Sequence, residues 1–178
     1  AGRMDVVLEE VQLDTLIREV HHSFELQASR KGIDLLVEVP PSPDPVQVFL
    51  ALSELPHCLF LDSAVHHERL GRYSFLAADP FDTLQVPADG TDGLSLLEGK
   101  LAGFRAETIP GLPPFQGGAA GLFGYDLHRS LERIPMSRFD EFHAPALSLG
   151  FYDVVVAFDH FRRQAWLISH GFPESDER

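Results

Sequence analysis

Two apolar segments, CLFLDSA at residues 58–64 and LGRYSFLAADP at residues 70–80, decide how this chain folds. Both are rich in the apolar and aromatic residues that favour β-strands, and a short polar segment, residues 65–69, separates them. A connection of this length joins antiparallel neighbours. The pattern therefore predicts a β-hairpin.

Polar side chains gather at the ends of the two predicted strands. Asp62 and Ser63 close the first strand, and Arg72 and Ser74 occupy alternate positions of the second, which places them on one face. An arginine, a carboxylate and two hydroxyls predict a small polar pocket suited to a ligand that carries both an amine and a carboxylate. The alternative is that Arg72 and Asp62 simply pair within the sheet.

The composition limits the classes of partner. With 14 Lys and Arg against 27 Asp and Glu, the net charge is −13, which argues against nucleic acid and against an anionic membrane surface, since both need a basic face. No apolar run reaches the roughly 20 residues of a membrane span, and the N-terminus has no signal-peptide pattern. The lone Cys58 fits a reducing cytoplasm, and we expect it to be a core thiol rather than a nucleophile.

The first 39 residues form a unit of their own in the sequence pattern. Apolar residues recur at helical spacing from Asp14, the RKG sequence at 30–32 is a stop signal, and residues 33–39 alternate as a strand. This unit resembles the junction in sensor histidine kinases where the dimerisation hairpin leads into the ATP-binding domain. The phosphoacceptor histidine and the ATP boxes are not in the sequence, so kinase activity is not expected. The alternative is an amphipathic helix and an edge strand that pack on the rest of the domain.

Helices and strands alternate beyond a proline-rich connector at residues 40–45. Asp44 is expected to cap a helix that runs to about Leu55 and buries Val46, Phe49, Leu50 and Leu52. Further elements are predicted at residues 81–86 (strand), 92–105 (helix), 125–131 (short helix), 147–159 (one long strand) and 165–169 (its hairpin partner).

The glycine-rich segment at residues 117–124 is interpreted as an apolar strand with points of close approach. Its order is not that of a dinucleotide-binding fingerprint, and no phosphate-binding lysine follows. Adjacent histidines at 21–22 and 66–67 lack the spacing that puts two metal ligands on one helix face, so we interpret them as solvated. We expect no metal site and no catalytic residue in this chain.

Five motifs, taken together and in order, resemble one enzyme family. They are FLDSA at 60–64, LGRYSFL at 70–76, ADP at 78–80, PFQGGAAGLFGYD at 114–126 and YD at 152–153. Residues 44–173 resemble the N-terminal domain of component I of aminodeoxychorismate synthase, the para-aminobenzoate branch of folate synthesis. Anthranilate synthase component I is a close relative. The aminodeoxychorismate branch fits better, because the tryptophan-pathway enzyme usually has Leu-Leu-Glu-Ser where this chain has FLDS at 60–63.

The resemblance implies an α+β fold with antiparallel sheets and a few packed helices. In the family this domain is non-catalytic and carries a pocket for L-tryptophan, with a regulatory or structural role. The positions here that match the pocket are Leu61, Asp62, Ser63, Arg72, Tyr73 and Ser74. A carboxylate there would hold the ligand ammonium, and apolar neighbours would hold the indole.

The family's chemistry is expected to lie outside residues 1–178. The resemblance implies that chorismate binding, Mg²⁺ ligation and amination belong to a larger C-terminal domain, with ammonia delivered by a glutamine amidotransferase subunit. This chain alone is therefore expected to be inactive and to hold no cofactor. The alternative function is a ligand-sensing domain fused to a histidine-kinase-like segment in a signalling protein.

Overall fold

The computed structural model describes residues 7–10, 35–38, 44–63, 65, 67–133, 135 and 139–173, with the backbone alone at 7–10 and 35–38. The strands are β1 Val7–Glu10, β2 Leu35–Glu38, β3 Leu59–Leu61, β4 Tyr73–Ala77, β5 Asp82–Val86, β6 Gly118–Phe123, β7 Leu147–Tyr152, β8 Val155–Asp159 and β9 Gln164–Ile168. Two α-helices, α1 Pro45–Leu52 and α2 Gly93–Leu101, and a 3-10 helix, Tyr125–Ser130, complete the described elements.

The strands form two sheets. The first has six described strands in the order β1-β2-β9-β8-β4-β3, and the second has three in the order β5-β7-β6. All described pairs are antiparallel except β1 with β2. The expected α+β class with antiparallel sheets is therefore confirmed. The described helices are all too short to cross a lipid bilayer.

The predicted hairpin is confirmed as β3 and β4. Leu59 pairs with Ala77 and Leu61 with Phe75, so the two segments run antiparallel in one register. The connection depends on Gly71, whose φ of +74° suits glycine, and a Cβ there would lie 1.8 Å from the carbonyl oxygen of Val65. β4 also pairs with β8, which places the hairpin at the edge of the first sheet.

Helix α1 covers the first sheet. Asp44 caps it as predicted, accepting a hydrogen bond from the Val46 N–H at 3.0 Å. The expected buried face is partly wrong, because Val46 and Leu50 are 47% and 63% exposed. Leu52 is buried as expected, and the residue that packs with it on the buried face is Val48, four positions earlier.

The same helix ends earlier than predicted, at Leu52 rather than near Leu55. The Ser53 hydroxyl donates to the carbonyl of Leu50, and the N–H of Leu55 donates to the carbonyl of Leu52, so the chain turns before Pro56. Phe49 stacks on Phe60 with ring centroids 5.1 Å apart, which fixes the helix against β3.

The predicted long strand at residues 147–159 is wrong as a single element. The chain passes from the second sheet to the first at residues 153–154: β7 pairs with β5 and β6, and β8 pairs with β4 and β9. Both strands are almost wholly buried, so the apolar run shows no break where the chain changes sheet. The change of direction is held by Asp153, 2% exposed, which accepts hydrogen bonds from the loop at residues 169–172.

The glycine-rich segment is a strand, as predicted. β6 pairs with β7, and a Cβ at Gly121 would lie 2.3 Å from the carbonyl oxygen of Ser148. Close approach of two backbones therefore explains that glycine. The short helix that follows is also confirmed, as the 3-10 turn.

Several predictions from the N-terminal region lie outside the described residues, among them the helix that begins at Asp14. The strand predicted at 33–39 is observed as β2, which pairs with β9 through Val37 and Leu167. The division of the chain into an appendage at 1–39 and a domain at 44–173 stays a prediction.

Candidate functional site

The site begins where β4 meets the end of β8. Arg72 directly precedes β4, and Asp159 is the last residue of β8. The Arg72 guanidinium donates to Oδ2 of Asp159 through Nε at 2.9 Å and through Nη2 at 2.5 Å. The interpretation in which Arg72 pairs with Asp62 therefore names the wrong carboxylate.

Asp159 is 1% exposed and fully engaged. Its Oδ1 accepts the backbone N–H groups of Phe161 and Arg162, both at 3.0 Å, and Oδ2 faces Arg72. Burial works to raise the pKa of Asp159, but the hydrogen bonds from Arg72 and Arg162 outweigh it and hold the pKa below its ordinary value. The hydrogen bond to Asp159 correspondingly raises the pKa of Arg72.

A second polar group surrounds Ser74. Its hydroxyl oxygen lies 2.5 Å from Oδ1 of Asp62 and 2.6 Å from Nε2 of His160, and Ser74 itself is fully buried. Asp62 is an exposed residue, and Oδ1 is the oxygen that Ser74 contacts. The backbone N–H of His160 donates to the carbonyl of Arg72, which ties the two polar groups together.

The protons of this group are determined by its donors and acceptors. An ionised Asp62 has no proton to donate, so the single hydroxyl proton of Ser74 goes to Asp62. Nε2 of His160 must then carry a proton and donate it to the Ser74 oxygen. Ser74 and His160 thus fix the orientation of the Asp62 carboxylate through hydrogen bonds. A carboxylate held in this way binds an ammonium ion well.

The remaining predicted site residues lie around these two groups. Tyr73 places its ring 4.9 Å from the guanidinium carbon of Arg72. Leu61, at the end of β3, is 45% exposed, and Ser63 is half-buried beside Gly71. All six predicted residues are thus within one corner of the first sheet.

A cleft of about 220 Å³ adjoins this corner. It is lined by His67, Glu68, His160, Phe161 and Arg163. His160 therefore connects the Ser74 group with open space, and Phe161 is 62% exposed. We refer to the two polar groups and this cleft as the hairpin site.

Sequence reasoning missed Asp159 and His160. They follow the apolar run VVVAF at 154–158, whose pattern predicts part of an uninterrupted strand. The signal was the change from apolar to polar at the end of that run, but only strand pairing shows that this end lies beside Arg72 and Ser74. No three His, Cys, Asp or Glu side chains of the described residues are placed to hold a metal ion.

The chain is similar to component I proteins of two related synthases. It is 34% identical to aminodeoxychorismate synthase component 1 of Escherichia coli over 139 residues, which are 69% of this chain and 30% of that protein. It is 32% identical to the Salmonella typhimurium protein of the same name over 151 residues, 76% of this chain and 33% of that protein. It is 28% identical to anthranilate synthase component 1 of Acetivibrio thermocellus over 138 residues, 70% of this chain and 28% of that protein.

The chain belongs to the anthranilate and aminodeoxychorismate synthase component I family. It spans about a third of the length of the curated component I relatives that it matches. Relatives from both branches occur at comparable identity, so the assignment to the aminodeoxychorismate branch stays a prediction.

The chain was also compared with solved structures and with family models. The crystal structure of anthranilate synthase component I from Streptococcus pneumoniae aligns at a TM-score of 0.45 and 24% identity, covering 76% of this chain and 32% of that one. No family model matches the sequence.

Proposed function

We propose that residues 44–173 are the non-catalytic N-terminal domain of a chorismate-utilising component I, of the aminodeoxychorismate branch. The observation that carries this proposal is the similarity to component I proteins over about three quarters of the chain and only a third of theirs. A domain of this share contributes folding and regulation, while amination of chorismate and any Mg²⁺ site belong to the remaining two thirds of such a protein.

The second part of the proposal concerns the hairpin site, which binds the backbone of an α-amino acid, with L-tryptophan as the ligand. Asp62 is exposed and oriented by Ser74, so its free oxygen accepts the ligand ammonium. Arg72 uses Nε and one Nη2 proton on Asp159, which leaves the Nη1 side of the guanidinium for the ligand carboxylate. Exposed Leu61 and Phe161 supply apolar surface for the side chain.

The partner proposed for the whole protein is a glutamine amidotransferase subunit that supplies ammonia. This proposal rests on the names of the relatives, which are component 1 of their synthases. The signalling alternative depends on residues 1–39, which lie largely outside the described residues.

Enzymatic inactivity is tested directly. The 178-residue chain is mixed with chorismate, ammonium and Mg²⁺, and chorismate is followed by its absorbance. We expect no consumption above the rate without protein. Turnover that depends on the chain would overturn the assignment as a non-catalytic domain.

Ligand binding is tested with L-tryptophan and nuclear magnetic resonance. We expect amide shifts confined to residues 61–63, 72–74 and 159–161, with a dissociation constant well above about 1 µM, because the family pocket also takes residues from the C-terminal domain. Asp62→Asn should weaken binding about tenfold, since it removes the charge opposite the ammonium. Glu132→Gln is the matched control, because it makes the same charge change at an exposed position away from the site.

One result would contradict the expected weak affinity, and another would contradict the role given to Asp62. Sub-micromolar binding would show that the pocket is complete without further residues. Equal affinity in Asp62→Asn and Glu132→Gln would remove Asp62 from the pocket. Arg72→Ala is less informative, since it leaves the buried Asp159 carboxylate without its cation and disturbs the fold as well as the ligand.

A further inference from the structure

A second cavity, of about 190 Å³, lies apart from the residues of the hairpin site. One part of its wall is aromatic: Phe81, Phe104 and Phe172 make ring contacts with centroids 4.9 to 6.4 Å apart, and Phe151 lies 6.3 Å from Phe81. The rest of the lining is largely polar, with Glu107, Thr108 and Gln116 among its residues. For a comparison of size alone, a cavity of about 150 Å³ accommodates benzene in a protein core. The cavity therefore has room for one aromatic ring with a short substituent.

One wall is fixed by a buried carboxylate. Asp153 accepts four hydrogen bonds from the loop that follows β9, one from the Ser169 hydroxyl and three from the backbone N–H groups of His170, Gly171 and Phe172. This carboxylate is 2% exposed. Its acceptors hold the backbone that carries His170 and Phe172 at the cavity, so this wall is preorganised.

A second part of the lining is fixed by a buried amide. Gln116 is 6% exposed, accepts the N–H of Ile109 at 2.9 Å and donates to the carbonyls of Ile109 and Pro113 at 3.0 and 3.1 Å. The loop that it closes contributes Thr108 and Pro114 to the cavity lining. Gln116 thus fixes the shape of its own loop, as Asp153 fixes the loop at residues 169–172, so two parts of the cavity lining are preorganised.

Gly118 borders open space within the cavity. Gly118 lines the cavity, and a Cβ built there would meet no atom within 4 Å. The neighbouring Gly117, by contrast, would place a Cβ 3.2 Å from the carbonyl oxygen of Tyr152. Open space at Gly118 is part of the cavity rather than of the packed sheet.

The negative charge of Glu107 favours a positively charged ligand. Glu107 is exposed and lines the cavity, and no lysine or arginine is among the cavity's described lining residues. The ammonium of Lys100, 5.5 Å from the ring of Phe151, is paired with Asp82. Aromatic faces attract cations, and a carboxylate at the mouth adds to this attraction. An aromatic ring carrying an ammonium group on a short arm matches both features.

We propose that this cavity is a binding site for a small aromatic amine, separate from the hairpin site. The aromatic ring of the ligand lies against the packed cluster of Phe81, Phe104 and Phe172, and its ammonium lies beside Glu107. The site is independent of the proposed amino-acid pocket, because the two share no lining residue.

The test uses the 178-residue chain and 2-phenylethylamine as the probe, with 3-phenylpropanoate as a ring of similar length and opposite charge. We expect saturable amide shifts at residues 81, 104, 107, 117–118 and 170–172, with a dissociation constant on the order of 1 mM for a ligand this small. The carboxylate probe should bind at least about threefold more weakly.

Matched variants separate charge from general surface effects. Glu107→Gln should lower the affinity for the amine about two- to fivefold. Glu98→Gln makes an equal charge change on the exposed surface of α2 and should leave that affinity unchanged. Phe104→Ala should remove most of the binding by opening the aromatic wall, with the circular dichroism spectrum and melting temperature confirming that the variant folds.

The proposal is overturned if 2-phenylethylamine causes no saturable shifts at these residues, because the cavity then does not bind an aromatic amine. It is also overturned if the amine and the carboxylate bind equally, or if Glu107→Gln behaves like Glu98→Gln. The result is independent of tryptophan binding, because shifts at residues 61–63 and 72–74 report on the other site.

Discussion

The guanidinium of Arg72 and the carboxylate of Asp159, 87 positions apart in the chain, form a hydrogen-bonded ion pair at 2.5 Å. It joins the start of β4 to the end of β8, just beyond the register pair of Tyr73 with Asp159. Asp159 is buried and Arg72 is 22% exposed, so the pair closes the corner of the sheet where the proposed ligand is held. The ion pair therefore has a structural role whether or not a ligand is present.

Asp159→Asn is expected to lower the free energy of unfolding by about 2 kcal/mol at neutral pH, because it removes the charge that faces Arg72 and weakens an acceptor of two backbone N–H groups. Urea denaturation followed by circular dichroism measures this change. Asp126→Asn is the control, since Asp126 forms a more exposed pair with Arg129 and should cost less than about 1 kcal/mol. Equal losses in the two variants would contradict the role given to burial.

The pH dependence of the free energy of unfolding should change in Asp159→Asn. The pKa of Asp159 is lowered in the folded state, so its contribution is complete above its unfolded pKa of about 4 and is lost as the pH falls through the folded value. Between about pH 5 and pH 2, the wild-type chain should therefore lose more stability than Asp159→Asn. Parallel stability curves over that range would show that another carboxylate governs acid unfolding.

Two glycine-to-alanine substitutions should have opposite effects. Gly121→Ala places a Cβ 2.3 Å from the carbonyl oxygen of Ser148 at a φ of +146°, so we expect a loss of about 3 kcal/mol. Gly99→Ala, in α2 with no atom within 4 Å of the new Cβ, should stabilise by about 0.5–1 kcal/mol. Thermal unfolding of the pair measures both, and a neutral Gly121→Ala would argue against the close approach of β6 and β7.

Asp153→Asn should destabilise the chain by about 3 kcal/mol, because one of the two acceptor oxygens is replaced by a donor that faces backbone N–H groups. The same variant should weaken the binding of 2-phenylethylamine, because the loop that carries His170 and Phe172 loses the hydrogen bonds that hold it in place. Hydrogen exchange at residues 170–172 checks the local effect. Unchanged protection there would indicate that the loop is held by its aromatic contacts instead.

Cys58 should react slowly with iodoacetamide in the folded chain. Burial raises the pKa of its thiol, and the residue packs against the core cluster under α1. We expect alkylation to accelerate at least about tenfold in denaturing urea at the same pH. The measurement is unambiguous, because the chain has one cysteine, and equal rates in the two states would place the thiol at the surface.

Local patterns in the sequence were sufficient for the elements whose signals are local. Asp44 before a proline and an apolar run predicted the start of α1, and the separation of two apolar segments by a short polar loop predicted the hairpin of β3 and β4. The face that α1 buries depends on the strands it packs against, so the sequence pattern assigns Val46 and Leu50 to the core although they are exposed.

The sequence alone determined the component I resemblance, the α+β class and the six residues around the hairpin, since short motifs, strand periodicity and charge are properties of neighbouring residues. Only the tertiary structure decided that the run from Leu147 to Asp159 divides between two sheets at Asp153. Only the tertiary structure placed Asp159 beside Arg72 and His160 beside Ser74. The physical reason is that strands buried on both faces carry no periodic signal, and strand pairing between distant segments is decided by packing and register rather than by local preference.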